Sequence, residues 1–173
     1  LERELAHLVS TSMRPGSRFG GRIHPYVARA EPVMVQALVE TAARLGVPAR
    51  LGLTASNSGF FACQGRDVAR VHPSVPELDR IFSEFDPRIG GQRIENMEME
   101  ASFLMHFLGG LGHWAGAICP TIANRRWSTF DHQYQESIAR ATEVGLMTLA
   151  SLRKRYPDAR LRCSSMGASD VMV

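Results

Sequence analysis

Lysine is almost missing from this chain of 173 residues: Lys154 is the single one, and the other permanently basic side chains are arginines. Biased codon usage accounts for that more simply than selection for phosphate or nucleic-acid binding. The arginines are scattered, the formal charge is only +3, and no basic stripe is interleaved with aromatics, so no nucleic-acid partner is expected. Cysteine is scarce as well. Cys63, Cys119 and Cys163 are odd in number, widely spaced and without a Cys-x-x-Cys pair, which argues against a disulfide framework and a structural zinc site. A reducing compartment, and with it a cytoplasmic location, is the expectation. The histidines (His7, His24, His72, His106, His113, His132) show neither His-x-x-x-His nor His-Glu-x-x-His spacing, so no metal site is expected. No apolar run is long enough to span a bilayer and no signal-peptide pattern opens the chain, so no membrane partner is expected. The chain starts on Leu1-Glu2-Arg3-Glu4 rather than on methionine, and its start is expected to have been cut from something longer.

What is present is ordinary for a globular protein. The hydrophobic share of 45% and charged share of 21% suit one domain with a real core. In chain order, Leu8–Met13 reads as a short strand ended by Pro15-Gly16, followed by a Gly- and Arg-rich loop to about Tyr26. Pro32 opens a helix with Met34, Ala37, Leu38, Thr41, Ala42 and Leu45 on one face, stopped by Gly46. Leu51–Ala55 is a second strand, delivering the chain into the polar loop Ser56–Arg66. Ser74-Val75-Pro76-Glu77 has the form of a capping box, and Leu78, Ile81, Phe82 and Phe85 behind it keep a helical period.

Gly90-Gly91 marks a turn and Ile94–Met97 a short strand. Asn96-Met97-Glu98-Met99-Glu100-Ala101 then puts carboxylates at the start of a helix whose rear (Phe103, Leu104, Phe107, Leu108, Leu111) reads as core. Acidic side chains suit the positive end of a helix, so capping alone is one explanation for them. Gly109, Gly110 and Gly112 end that helix. Trp114–Cys119 reads as a strand covered on both faces. Asp131 reads as the N-cap of a long last helix with Ile138, Ala141, Gly145, Leu149 and Leu152 inward and a basic end, Arg153-Lys154-Arg155. Residues 1–156 are expected to form the domain and residues 157–173 a loose polar tail. The sum is a layered α/β domain with polar loops following strands, where ligand sites lie in open sheets.

Three stretches, taken together, carry a resemblance. Thr54–Arg66 reads Thr-Ala-Ser-Asn-Ser-Gly-Phe-Phe-Ala-Cys-Gln-Gly-Arg, Asn96–Ala101 reads Asn-Met-Glu-Met-Glu-Ala, and Ile122–Arg125 reads Ile-Ala-Asn-Arg. In this order and spacing they resemble the nucleoside phosphorylase family, and within it the uridine phosphorylases. Those enzymes carry a Phe-x-x-x-Gln-x-Arg loop, an Asn-x-Glu-Met-Glu turn and an Asn-Arg pair after the next strand. Roughly residues 8–155 follow the family's order of elements. The resemblance implies an α/β/α layered fold with a mixed central sheet, of which this chain holds the C-terminal portion. It implies phosphorolysis of uridine to uracil and ribose 1-phosphate, with inorganic phosphate as co-substrate, no organic cofactor, and a homo-oligomer, dimeric or hexameric.

The same resemblance implies roles. Phe60 lies against the uracil ring, and Gln64 hydrogen-bonds its amide edge with a carboxamide that both donates and accepts. Arg66 holds a uracil carbonyl and stabilises the charge developing on the departing base, and Arg125 supports the same end of the pocket. Glu98 and Met99 line the sugar region and Glu100 grips the ribose hydroxyls. Asn124 stands where purine-specific relatives place an aspartate, which favours a pyrimidine.

Taken singly, each residue has a plainer explanation. Phe60 and Phe61 read as core under a loop, Gln64 and Arg66 as loop surface, and Arg125-Arg126 as a basic turn. The chain departs from the family pattern at Ala62-Cys63, where Pro-Gly or Glu-Gly is usual. It also has no Gly-Asp-Pro-Gly-Arg-like stretch and no Gly-Thr-x-Gly turn. The base and ribose half of a site is therefore expected without its phosphate half. Cys63 is expected to be an inert free thiol. A nucleosidase on the same fold, and a truncated non-catalytic nucleoside-binding or structural remnant, stand as alternatives.

Overall fold

A computed structural model of the chain describes residues 2–13, 15, 25–85 and 92–157. Five helices and four short strands form among them: α1 (Glu2–Thr11), α2 (Pro32–Arg44), β1 (Leu53–Ser56), α3 (Leu78–Glu84), β2 (Ile94–Glu98), α4 (Ala101–Gly110), β3 (Ala123–Asn124), β4 (Thr129–Phe130) and α5 (Tyr134–Arg155). A single 3-10 turn, Ala62–Gln64, interrupts the loop after β1. Helices mixed with small sheets are consistent with an α/β fold. The sheets are smaller than a layered central sheet would be: β1 pairs with β2 in parallel and β3 with β4 antiparallel, two strands each. Among the described residues no helix is long and apolar enough to cross a membrane.

The chain divides into two compact units, Leu1–Ala28 with Arg50–Phe103 and Thr121–His132, and Arg29–Ala49 with Leu104–Pro120 and Gln133–Val173. The core of the first is Val9, Val75, Leu78, Ile81 and Phe82, with Leu5, Leu8, Met13, Ala55, Ile94 and Met97 packed against it. Each large aliphatic or aromatic side chain buried there contributes about 1.5–3 kcal/mol. Residues 8–13 are not the strand expected of them. Leu5, Leu8 and Val9 make an i, i+3, i+4 face against this core, Glu2 and Glu4 occupy the positive first turn, and the segment is α1 through Thr11. The β-branched Val9 and Thr11 bias a short window toward strand, but burial of the helical face wins. The Ser10 and Thr11 hydroxyls close the last turn by donating to the His7 carbonyl at 2.9 Å.

α3 buries Leu78, Ile81 and Phe82 as their spacing predicts. Its start differs from expectation. Ser74 and Glu77 form no capping box: Glu77 itself is the N-cap, in a left-handed conformation with φ 53° and no side-chain cap. Its carboxylate accepts from Arg80 Nε at 3.1 Å instead. Gly90-Gly91, most of the Gly- and Arg-rich loop before Tyr26, and the whole tail after Pro157 lie outside the described residues.

In the second unit α2 and α5 pack together through small side chains, Ala37, Thr41 and Ala42 on one and Ala141, Val144, Thr148 and Leu152 on the other. α2 starts at Pro32 and gives way at Gly46 (φ 66°), as read from the sequence. α5 starts later than expected, with Gln133 rather than Asp131 at its cap. Its inward stripe runs through Val144 and Thr148, while Ile138 and Leu149 are exposed. Trp114–Cys119 is irregular rather than a doubly covered strand: only Ala115 is buried, and its carbonyl accepts from Glu31 N–H at 2.8 Å. The chain passes too close to α2 there for a side chain at residue 116, since a Cβ on Gly116 would lie 2.7 Å from Met34 Cγ.

α4 carries the largest correction. Its carboxylates precede it instead of occupying its first turn, and its apolar rear is not core. Ala101 is its single buried residue, whereas Phe103, Leu104, Phe107 and Leu111 are exposed, Phe103 to 62%. A 3.6-residue apolar period shows which side of a helix seeks cover, not whether cover is present in the chain.

Candidate functional site

The parallel pairing of β1 with β2 brings the two polar stretches together. Thr54 lies opposite Asn96, Ala55 opposite Met97 and Ser56 opposite Glu98. Both strands run the same way, so the loop after β1 and the turn after β2 leave from the same end. The Thr54 hydroxyl donates to Asn96 Oδ1 at 2.7 Å, and Asn57 N–H donates to the Glu98 carbonyl at 2.9 Å.

Glu98 is held on both carboxylate oxygens. Ser56 Oγ donates to Oε1, while Oε2 accepts from Glu100 N–H at 2.7 Å and Ala101 N–H at 2.6 Å. Ser56 Oγ in turn accepts from Ser102 N–H at 2.9 Å. A carboxylate and a hydroxyl thus satisfy three of the free N–H groups at the entry to α4. The capping explanation for the acidic stretch holds for Glu98. Met99 and Glu100, the next two residues, are exposed. The amide nitrogen of Asn57 is buried beside this cluster without a hydrogen-bond partner.

The base loop is built around Gln64-Gly65-Arg66. Gly65 takes φ 78° after the 3-10 turn, and a Cβ there would lie 2.5 Å from the Leu78 nitrogen, so only glycine fits. This bend sends the two flanking side chains to different surroundings. Gln64 is 2% exposed, and Arg66 emerges to lie over the Phe60 ring, 4.2 Å from guanidinium carbon to centroid. Phe60 and Phe61 meet edge to face at 5.3 Å and are about half exposed, so neither is core under the loop. Arg125, in the turn after β3, reaches the same place. Its Nη2 donates to Gln64 Oε1, its Nη1 donates to the Gln64 carbonyl at 3.4 Å, and its guanidinium carbon is 5.8 Å from the Phe60 centroid.

An open cleft of about 770 Å³ lies over this loop. Gln64, Arg66 and Arg125 line it with Asp67, Asp79, Asn124 and Thr129, while Phe60, Glu98, Met99 and Glu100 do not. Partial burial and the neighbouring Arg66 push the Arg125 guanidinium below its ordinary range, with Asp79 acting the other way. Two cations therefore face one cleft, an arrangement that negative charge would relieve.

The structure brings Phe60, Gln64, Arg66 and Arg125 into one cluster, and places Glu98, Met99 and Glu100 at the end of β2. Sequence reasoning gave no role to Ser56 or Asp79. Ser56 matters through its cross-strand register with Glu98, and Asp79 through the approach of α3 to the β3–β4 hairpin; neither signal is local. Cys63 is an exposed free thiol. Among the described residues no group of three or more His, Cys, Asp or Glu side chains is arranged to hold a metal ion.

Compared with known proteins, the chain is 31% identical over 129 residues to a uridine phosphorylase of Thermococcus kodakarensis, a match covering 72% of this chain and 43% of that protein. The chain thus spans less than half the length of this curated relative. The similarity supports a nucleoside phosphorylase relationship rather than any one member of that family. No protein-family model matches the chain, and no solved structure gives a significant match.

Proposed function

We propose that this chain supplies the base- and ribose-binding part of a uridine phosphorylase. The reaction breaks the N-glycosidic bond of uridine. Phosphate attacks C1′, the bonding pair leaves with uracil, and ribose 1-phosphate remains. Inorganic phosphate is the co-substrate and no organic cofactor takes part. The observation that carries this reading is the convergence of Arg66 and Arg125 on Phe60, with Gln64 bound to Arg125 at the cleft. A flat, half-exposed ring suits a flat heterocycle, and a carboxamide suits a lactam edge. The mutual repulsion of the two guanidiniums falls as negative charge develops on the departing base, so stabilisation grows toward the transition state.

On this reading Glu100, exposed at the entry to α4, accepts from the ribose hydroxyls, with Met99 beside it. Glu98 keeps that turn in place through Ser56 and the α4 N–H groups. Phosphate-binding residues are not assigned to this chain. The 43% coverage of the Thermococcus relative leaves room for them elsewhere, supplied in a longer protein or by a partner subunit of a homo-oligomer.

Uracil release from uridine by the purified chain, with and without phosphate, and by the longest protein its gene encodes, tests the proposal. Phosphate-dependent release by the long form is the expected result. Equal release without phosphate would make the protein a nucleosidase. Release by neither form under any condition overturns the phosphorylase reading and leaves a nucleoside-binding or structural remnant.

A further inference from the structure

We propose that Arg125 fixes which end of the Gln64 carboxamide is oxygen, and so sets the order of donor and acceptor that Gln64 presents to a bound base. The inference rests on the base-pocket reading above and gives Arg125 a positioning role within it. A guanidinium only donates hydrogen bonds, so the carboxamide end that faces it is the oxygen. Arg125 makes that contact through Nη2, which donates to Gln64 Oε1, while Nη1 donates to the backbone carbonyl of Gln64 at 3.4 Å and so anchors the guanidinium on the same residue. Gln64 is 2% exposed yet lines the cleft, and among the described residues its Nε2 has no hydrogen-bond partner.

Flipping the amide would set its NH2 against a cation and leave Nη2 without its acceptor, beside a side chain only 2% exposed. That difference corresponds to roughly tenfold or more in population. The free edge of Gln64 therefore has one polarity: the Oε1 lone pair that Arg125 leaves unused lies on the side nearer Arg125, and an Nε2–H on the far side. Uracil offers a ring N–H beside a carbonyl. Cytosine presents an unprotonated ring nitrogen beside an amino group, the reverse order. A carboxamide held in one sense pairs fully with one of these edges and opposes the other, whereas a free carboxamide turns over to suit either.

Calorimetric titration of the full chain with uracil and with cytosine tests this, using the natural chain, Arg125→Met and Arg125→Lys. The natural chain is expected to prefer uracil by about tenfold or more. Arg125→Met, similar in length and without donors, brings the ratio close to one. Arg125→Lys, which retains charge and a donor, recovers part of the preference. A purely structural role for Arg125 would weaken both bases alike, so an unchanged ratio in Arg125→Met overturns the proposal.

A second measurement needs no base. The Gln64 side-chain amide, assigned by NMR against Gln64→Glu, is expected to show a scalar coupling across the hydrogen bond from Arg125 that Arg125→Met removes. A natural chain without that coupling also overturns the proposal. Binding of neither base with the coupling present leaves Arg125 holding Gln64 and sinks the base-pocket reading instead.

Discussion

Gly65 shows how much of a site can depend on an atom that is not there. Its φ of 78° and the 2.5 Å approach of a would-be Cβ to the Leu78 nitrogen make Gly65→Ala doubly unfavourable. The expected loss is about 1–3 kcal/mol in denaturant unfolding, together with loss of the Arg66–Phe60 contact. Arg66 and Glu100 separate by what they damage. Arg66→Ala is expected to lower kcat for uridine about 100-fold while ribose 1-phosphate still binds, because its charge acts on the base. Glu100→Ala is expected to weaken ribose 1-phosphate binding as well as turnover. Full turnover in Arg66→Ala would show that the base sits elsewhere. At this scale it was the resemblance of three motifs taken together, not any one spacing, that grouped Phe60, Gln64 and Arg66. What it could not carry was the direction of each side chain. Gln64 turns inward to Arg125 and Arg66 outward, a division made by the close packing of Gly65 on α3.

Elements were legible where a buried face and a breaker agreed, and illegible where they did not. α2 has both Pro32 and Gly46 as punctuation, and its inward face is small because α5 lies close. α1 was misread because the six residues Leu8–Met13, four of them Val, Ser or Thr, look extended until Leu5, outside that window, is counted with Leu8 and Val9. Trp114–Cys119 is apolar enough for a strand but forms no ladder among the described residues. The α2–α5 pair also has an electrostatic tie, Arg155 Nη2 to Glu40 Oε2 at 3.0 Å. The hydrogen bond from Arg155, and then that from Gln36, holds the Glu40 carboxyl below its usual range. A carboxyl depressed in the folded state stabilises above its unfolded pKa, and that contribution disappears as pH falls through the folded value. Arg155→Ala is therefore expected to raise the Glu40 pKa toward the ordinary carboxylate value, read by NMR titration, and to flatten the acid limb of the stability curve. A Glu40 titration unmoved by the substitution would mean the contact does not persist in solution.

For the molecule as a whole, the exposed side of α4 sets the character of the chain. Phe103, Leu104, Phe107 and Leu111 follow a helical period suited to burial, and about half or more of each is exposed. Apolar clusters of this kind bind hydrophobic dyes. Phe107→Gln is expected to reduce dye fluorescence with little change in helical circular dichroism; an unchanged signal would place the accessible apolar surface elsewhere. The sequence announced the periodicity of this face but gave no means of telling whether other residues cover it.

The parallel register of β1 and β2 has a consequence for how such a chain tolerates change in length. Side chains alternate along a strand, so deleting one residue within Leu53–Ser56 would set Ala55 or Asn57 opposite Glu98 and turn the neighbouring side chains to the other face. Between the end of β1 and the 3-10 turn at Ala62 no ladder imposes that count. Insertions and deletions surviving in a randomised library should therefore gather at Ser58 and Gly59, drop out sharply at Ser56, and drop out again from Phe60, whose ring meets Arg66, and Phe61, whose carbonyl accepts from the Gln64 and Arg66 N–H groups. Such a length profile would trace the boundary between the part of the loop that can drift and the parts that cannot.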